Sequence, residues 1–156
     1  METITVERTV AAPASAVFEW ISNAHNYTRI PLVLYERLRV PGAEAPYGRG
    51  AVRFLVWVVG IFWERITAYD PPRSFEYHVY RSIPPSRHEM GRVDFTETAA
   101  GTRVVWTTTV ELRFPLIGPL LTRRVARPLL TYAFRRVLET AAAELAGKPG
   151  TARGER

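Results

Sequence analysis

The chain contains no cysteine, which excludes disulfides, thiolate metal sites and a cysteine nucleophile. It has a single lysine, Lys148, so arginine carries nearly all of the formal net charge of +6. It lacks an apolar run of membrane-spanning length: the longest, Phe54 to Trp63, is about half of the ~20 residues a spanning helix needs. The opening segment Glu2 to Arg8 is charged and alternates polar with apolar side chains at Thr3 to Glu7, unlike a signal peptide, and the expected location is cytoplasmic. Three histidines, His25, His78 and His88, form no helical His-Glu-x-x-His pair and have no acidic cluster at ligand spacing. No metal is expected. There is also no Gly-x-Ser-x-Gly elbow, phosphate loop or dinucleotide fingerprint, and Gly48-Arg49-Gly50 is too short to cradle a phosphate. No cofactor is expected either.

What remains is an ordinary globular composition: 156 residues, 47% apolar and 23% charged. One domain is expected over residues 1–147. Residues 148–156, a basic tail without an apolar anchor, are expected to be flexible. The positive charge raises a nucleic-acid reading, but an arginine bias also follows from a GC-rich genome. A solvated basic face accounts for it, so no nucleic-acid partner is expected. Contact with a membrane is left open, and the expected state is a monomer or a weak homodimer.

The apolar pattern predicts the element order. Ile4 and Val6 alternate with Thr5 and Glu7, reading as a first strand. Pro13 opens a short helix with Val17, Phe18, Trp20 and Ile21 inward, and a second turn follows before Pro31. Strands are then predicted at Leu34–Val40, Ala51–Val58, Ile61–Tyr69, Ser74–Arg81, His88–Thr98 and Thr102–Phe114. Turns at Val59-Gly60, Asp70-Pro71-Pro72-Arg73 and Ala100-Gly101 separate several of them. In the last hairpin Val104, Trp106, Thr108, Val110 and Leu112 share one face, as one-sided burial in an antiparallel sheet requires. Between residues 51 and 69 the parity is open, because Phe54 and Leu55 compete for the inward face. From Pro119 to Ala146 apolar residues recur at helical spacing: Leu121, Val125, Leu129, Tyr132, Ala133, Val137, Ala141 and Leu145. Arg124, Arg127, Thr131 and Arg135 form the opposite stripe. Pro128 should bend this helix, and Gly147 is a stop signal.

The sequence resembles the START-like superfamily, in the bacterial group described as polyketide cyclase/dehydrase and lipid transport. The resemblance is carried by Val10-Ala11-Ala12-Pro13 leading into Val17-Phe18-Glu19-Trp20-Ile21, by Gly50-Ala51-Val52-Arg53, and by Glu64 through Arg73 with Phe75 and Tyr77. His88 before Gly91-Arg92-Val93-Asp94-Phe95, and Gly101 through Trp106, complete it. It implies an α+β helix-grip fold: a curved seven-stranded antiparallel sheet around a long C-terminal helix, with two short helices after the first strand. It further implies a cavity between sheet and helix for a small hydrophobic ligand, lipid-like or polyketide-like. Related cyclases hold a reactive polyketide in such a cavity, where a few polar groups polarise carbonyls or move protons.

The expected ligand-binding residues are Tyr35, Phe54, Tyr77, Phe95, Trp106, Leu129, Tyr132 and Ala133, an aromatic and aliphatic set suited to a pocket wall. The catalytic candidates are Glu64, Arg53 and His88. Glu64 follows an apolar run, where burial would raise its pKa; equally, Arg53 or Arg65 could hold it in a structural ion pair. His88 opens a strand near the Pro84-Pro85 break, as a rim histidine bonded to backbone or as a proton carrier. Two functions follow, ligand carriage and cyclisation or dehydration, and they differ in whether Glu64, Arg53 or His88 projects into the cavity.

Overall fold

Strand β1 (Glu2–Val10) leads into helix α1 (Ala14–Ser22) and a 3-10 turn (Ala24–Arg29), and six strands follow. They are β2 (Val33–Val40), β3 (Val52–Trp57), β4 (Gly60–Asp70), β5 (Ser74–Ile83), β6 (Ser86–Thr98) and β7 (Gly101–Leu112). The chain closes with α2 (Gly118–Leu121), a π-helical turn (Thr122–Ala126) and α3 (Arg127–Ala146). This computed structural model describes residues 1–146; the expected Gly147 stop and the basic tail lie outside the described residues. Among the described residues no helix is long and apolar enough to cross a membrane.

The seven strands form one antiparallel sheet in the order β1-β7-β6-β5-β4-β3-β2. Period-2 alternation decides which face each residue serves. In β7, Val104, Trp106, Thr108 and Val110 are buried while Arg103 is exposed. In β3, past the buried first residue Val52, burial alternates through Arg53, Leu55 and Trp57, which resolves the open parity and places Phe54 on the outer face. There Phe54 packs between Tyr35 and Trp63, at 6.0 and 5.0 Å between ring centroids. Two glycines are sterically required. A Cβ on Gly101 (φ 130°) would lie 2.1 Å from the Val10 carbonyl oxygen, where β1 ends against the β6–β7 turn. A Cβ on Gly91 would lie 2.3 Å from the Tyr77 ring, so its absence lets that ring lie flat across β6.

The C-terminal helical run packs along the sheet. Its buried stripe in α3 is Ala133, Phe134, Val137, Leu138 and Ala141, the i, i+3, i+4 spacing of one helix face. The π turn precedes Pro128 and widens the helix locally, so the residues before it are rotated out of phase with that stripe. Pro128, lacking an N–H, is thereby taken up near the start of α3 rather than in its middle. At the far end, Glu144 accepts a hydrogen bond from the Trp20 indole (2.8 Å) and pairs with Arg29, fastening α3 to α1 and the 3-10 turn.

Candidate functional site

Under α1 the concave face is filled. The Phe18 ring meets Tyr69, Phe75 and Phe95 at 5.3, 5.9 and 5.1 Å. Under the first half of α3 it is not. A recess of about 50 Å³ lies between β3–β7, the 3-10 turn and α3. Its sides are Tyr27, Trp57, Trp106 and Phe134, with Trp106 and Phe134 stacked at 4.2 Å and 9°. Past Phe62, Ser86, Val110 and Leu130 it adjoins a second, apolar space of about 110 Å³ walled by Val59, Pro84, Val125 and Leu129.

The inner end of the recess is polar. Arg53 and Glu64 are cross-strand partners on β3 and β4, and their inward side chains form an ion pair. Arg53 Nε and Nη2 both donate to Glu64 Oε2, at 3.1 and 2.5 Å. Arg53 is 1% exposed and its guanidinium lies 6.0 Å from the Tyr27 ring centre and 5.7 Å from that of Tyr77. Burial works against its charge, but the Glu64 carboxylate and the Tyr27 oxygen overcome this and raise its pKa. The remaining nitrogen, Nη1, is buried without a hydrogen-bond partner, an arrangement that costs free energy unless something satisfies it. No hydrogen bond from the described residues reaches Glu64 Oε1. Burial, reinforced by Glu64, also raises the phenol of Tyr77, and burial pushes that of Tyr27 up to about 12.

His88 sits on the same wall with both ring nitrogens engaged. Its Nδ1 accepts the Val79 amide at 3.2 Å, so in the neutral ring Nε2 carries the proton and donates it to Thr108 Oγ1 at 2.8 Å. Thr108 passes the chain on to the Met90 carbonyl at 3.1 Å. Burial, with a smaller push from His78, lowers the His88 pKa to about 4, and Tyr77 stacks on it at 5.5 Å. Ladder irregularities interrupt β4–β5 at Trp63/Glu64 and β6–β7 at His88/Met90, aiming both side chains into the recess wall. Tyr77 in turn accepts the Trp106 indole N–H at 2.8 Å.

Of the residues named from sequence, Arg53, Glu64, Tyr77, His88 and Trp106 line the recess, and Leu129 lines the outer apolar space. The others do not. Phe54 is on the outer sheet face because Arg53, Leu55 and Trp57 take the inward parity of β3, and Tyr35 joins it there because a register shift in β2 after Val33 makes Glu36 the next buried position. Phe95 belongs to the filled region under α1, among Phe18 and Phe75. Tyr132 is 56% exposed and lies with Arg124, Arg127 and Arg135 in an outer groove; the inward position of that turn is taken by its neighbours Ala133 and Phe134. Ala133 is buried but walls neither space. Sequence reasoning missed Tyr27, Trp57 and Phe134, and placed Thr108 on the inward face without assigning it to the site. Two-residue stepping from Arg53 reaches Trp57, and the Phe134, Val137, Leu138, Ala141 spacing marks Phe134, whereas nothing periodic marks Tyr27 in a 3-10 turn.

The family model described as polyketide cyclase/dehydrase and lipid transport matches residues 1–148. Among solved structures, the chain is similar to TTHA0849 from Thermus thermophilus (20% identity, TM-score 0.75, covering 94% of this chain and all of that one). It is also similar to the di-domain ARO/CYC BexL of the BE-7585A biosynthetic pathway (22%, TM-score 0.75, 95% of this chain and 51% of that one). A START superfamily protein from Mycobacterium smegmatis is a third likeness (14%, TM-score 0.71, 92% and 98%). No curated protein matches the sequence.

Proposed function

The chain belongs to the polyketide cyclase/dehydrase and lipid-transport family, and we propose that it binds a small amphipathic molecule in the recess under α3. The oxygen-bearing end of the ligand meets Arg53 and Glu64, and its apolar remainder runs past Phe62 and Leu130 toward Val125 and Leu129. The observation that carries this reading is Arg53 Nη1: a buried, charged donor without a partner, at the polar end of a wall rich in aromatic side chains. A carbonyl or hydroxyl oxygen placed there completes its hydrogen bonding. About 50 Å³ exceeds the ~10–15 Å³ needed for one water, which suits a head group rather than a whole lipid.

Cyclisation or dehydration of the held molecule is the second reading, and its support is the free Glu64 Oε1, placed to exchange a proton with a bound ketone. Carriage is favoured because the other acid–base group, His88, has both nitrogens committed to the protein. Native mass spectrometry of protein purified from its own host tests the proposal. A retained mass that an Arg53→Met/Glu64→Leu double variant loses supports it. Protein that is always unliganded, and that takes up no amphipathic probe in vitro, sinks it.

A further inference from the structure

The outer end of the recess carries an unusual concentration of exposed apolar side chains. Three connections meet there: the β3–β4 turn, the β5–β6 turn and the segment from β7 into α2. The first two touch, since a Cβ on Gly60 would lie 2.7 Å from the Ile83 carbonyl oxygen. They present Val58 and Ile83 to solvent, each more than half exposed. The third presents Ile117, Leu120 and Leu116, the last 101% exposed on a backbone with φ 66°. On α3 Leu129 is exposed as well and also walls the outer space. Isolated surface apolar residues need no explanation, whereas a cluster of them on adjoining connections beside an apolar space does.

The charge of the surrounding surface says what would cover it. From Leu112 to Leu138 the sequence holds six arginines and no aspartate or glutamate. Among the described residues Arg113, Arg123, Arg124 and Arg135 make no ion pair; Arg127 reaches Glu2, and Arg136 reaches Glu139. The apolar residues stand proud on turns and a short helix instead of lining a concave groove, a shape that enters a fluid phase more readily than it matches a folded partner. Apolar side chains projecting beside arginines that outnumber the neighbouring carboxylates, Glu2, Glu111 and Glu139, are what an anionic bilayer selects.

We propose that this rim docks on an anionic lipid surface, with Leu116, Ile117 and Leu120 entering the interface and Arg123 and Arg124, three and four residues after Leu120, meeting the lipid phosphates. The recess then opens toward the bilayer, and the ligand passes between lipid and protein without crossing water. That exchange rests on the ligand-binding reading above; the docking itself does not.

Flotation with phosphatidylcholine vesicles, with and without a quarter phosphatidylglycerol, tests it. The full chain is expected to float with the anionic vesicles at low salt and to detach at high salt. Arg123→Gln/Arg124→Gln should weaken binding by about fivefold per arginine removed. Leu116→Ser/Leu120→Ser, at exposed positions outside both walls of the recess, should weaken it roughly tenfold or more. Wild-type protein that stays unbound, or a serine variant that binds as well as wild type, overturns the proposal. So does a concentration-dependent dimer abolished by the same serines, which would assign the rim to a second copy of the chain. Uptake of 2-octanone in vesicle-free solution is read in parallel. Failed docking with intact uptake removes this inference alone, whereas absent uptake in wild type removes the ligand-binding reading.

Discussion

The two halves of the concave face are built from similar residues and end up differently. Under α1, Phe18 closes on Phe75 and Phe95 and nothing is left to fill. Under the first half of α3, equally large rings line a space instead of filling it. The difference lies in the helices and in one ion pair. α1 is short, and its Phe18 reaches straight onto the sheet. α3 is fastened at its far end through Glu144, while the π turn displaces its beginning, and Arg53–Glu64 occupies the sheet beneath. A buried ion pair cannot be covered by apolar packing without leaving donors stranded. The lesson is that polarity at two cross-strand positions keeps half of a core open.

The comparison can be broken from either side. The largest effects belong to the filled half and to a severed ion pair. Phe75→Ala should cost about 3–5 kcal/mol in chemical denaturation and leave ligand uptake unchanged once the protein is folded. Glu64→Leu alone strands the Arg53 charge and should cost a similar ~3–5 kcal/mol, whereas Arg53→Met/Glu64→Leu should be near neutral or stabilising. Equal losses in the single and double variants would mean that the pair does not keep its half open.

His88 sharpens the contrast through pH. Its folded pKa of about 4 lies below the ordinary value of 6.5, so between those values the unfolded chain binds the proton and the folded one resists it. Stability is therefore full above pH 6.5, falls as pH drops through that window, and levels off below about 4. The loss amounts to ~3 kcal/mol. Subtracting the profile of His88→Gln from wild type should isolate this slope; superimposable profiles would place His88 in water. The smallest effects are expected on the outer surface. Tyr132→Ala and Tyr35→Ala, at exposed positions, should change stability by less than about 0.5 kcal/mol and leave ligand uptake intact.

How much of this was legible in the sequence depends on the element. The hairpin of β6 and β7 alternates so regularly that Val104, Trp106 and Thr108 could be placed inward without a structure. β3 could not be read that way, because Phe54 and Leu55 are both apolar and the residue that decides, Arg53, is charged and was not an obvious inward side chain. Its burial becomes plausible only when Glu64 is known to stand opposite it across the ladder. In the C-terminal helix the stripe through Leu121, Val125 and Leu129 was extended at constant pitch to Tyr132. The π turn breaks that pitch, and the inward position falls on Ala133 and Phe134. Tyr27 reaches the recess from a 3-10 turn, and its hydroxyl bonds the Ile21 carbonyl, a contact with no periodic signature. The charge pattern around the rim was visible as composition, but its convergence with the recess opening was not.

The central claim is that the open half receives an oxygen-bearing ligand at Arg53 and Glu64. Its most direct test is a titration of 2-octanone against octane, read by intrinsic fluorescence with Trp57 and Trp106 in the wall. The account predicts that the ketone binds more tightly than the hydrocarbon, and that Arg53→Met/Glu64→Leu erases the difference while still admitting octane. Equal affinity of wild type for both, or a ketone preference that survives the double substitution, would contradict it.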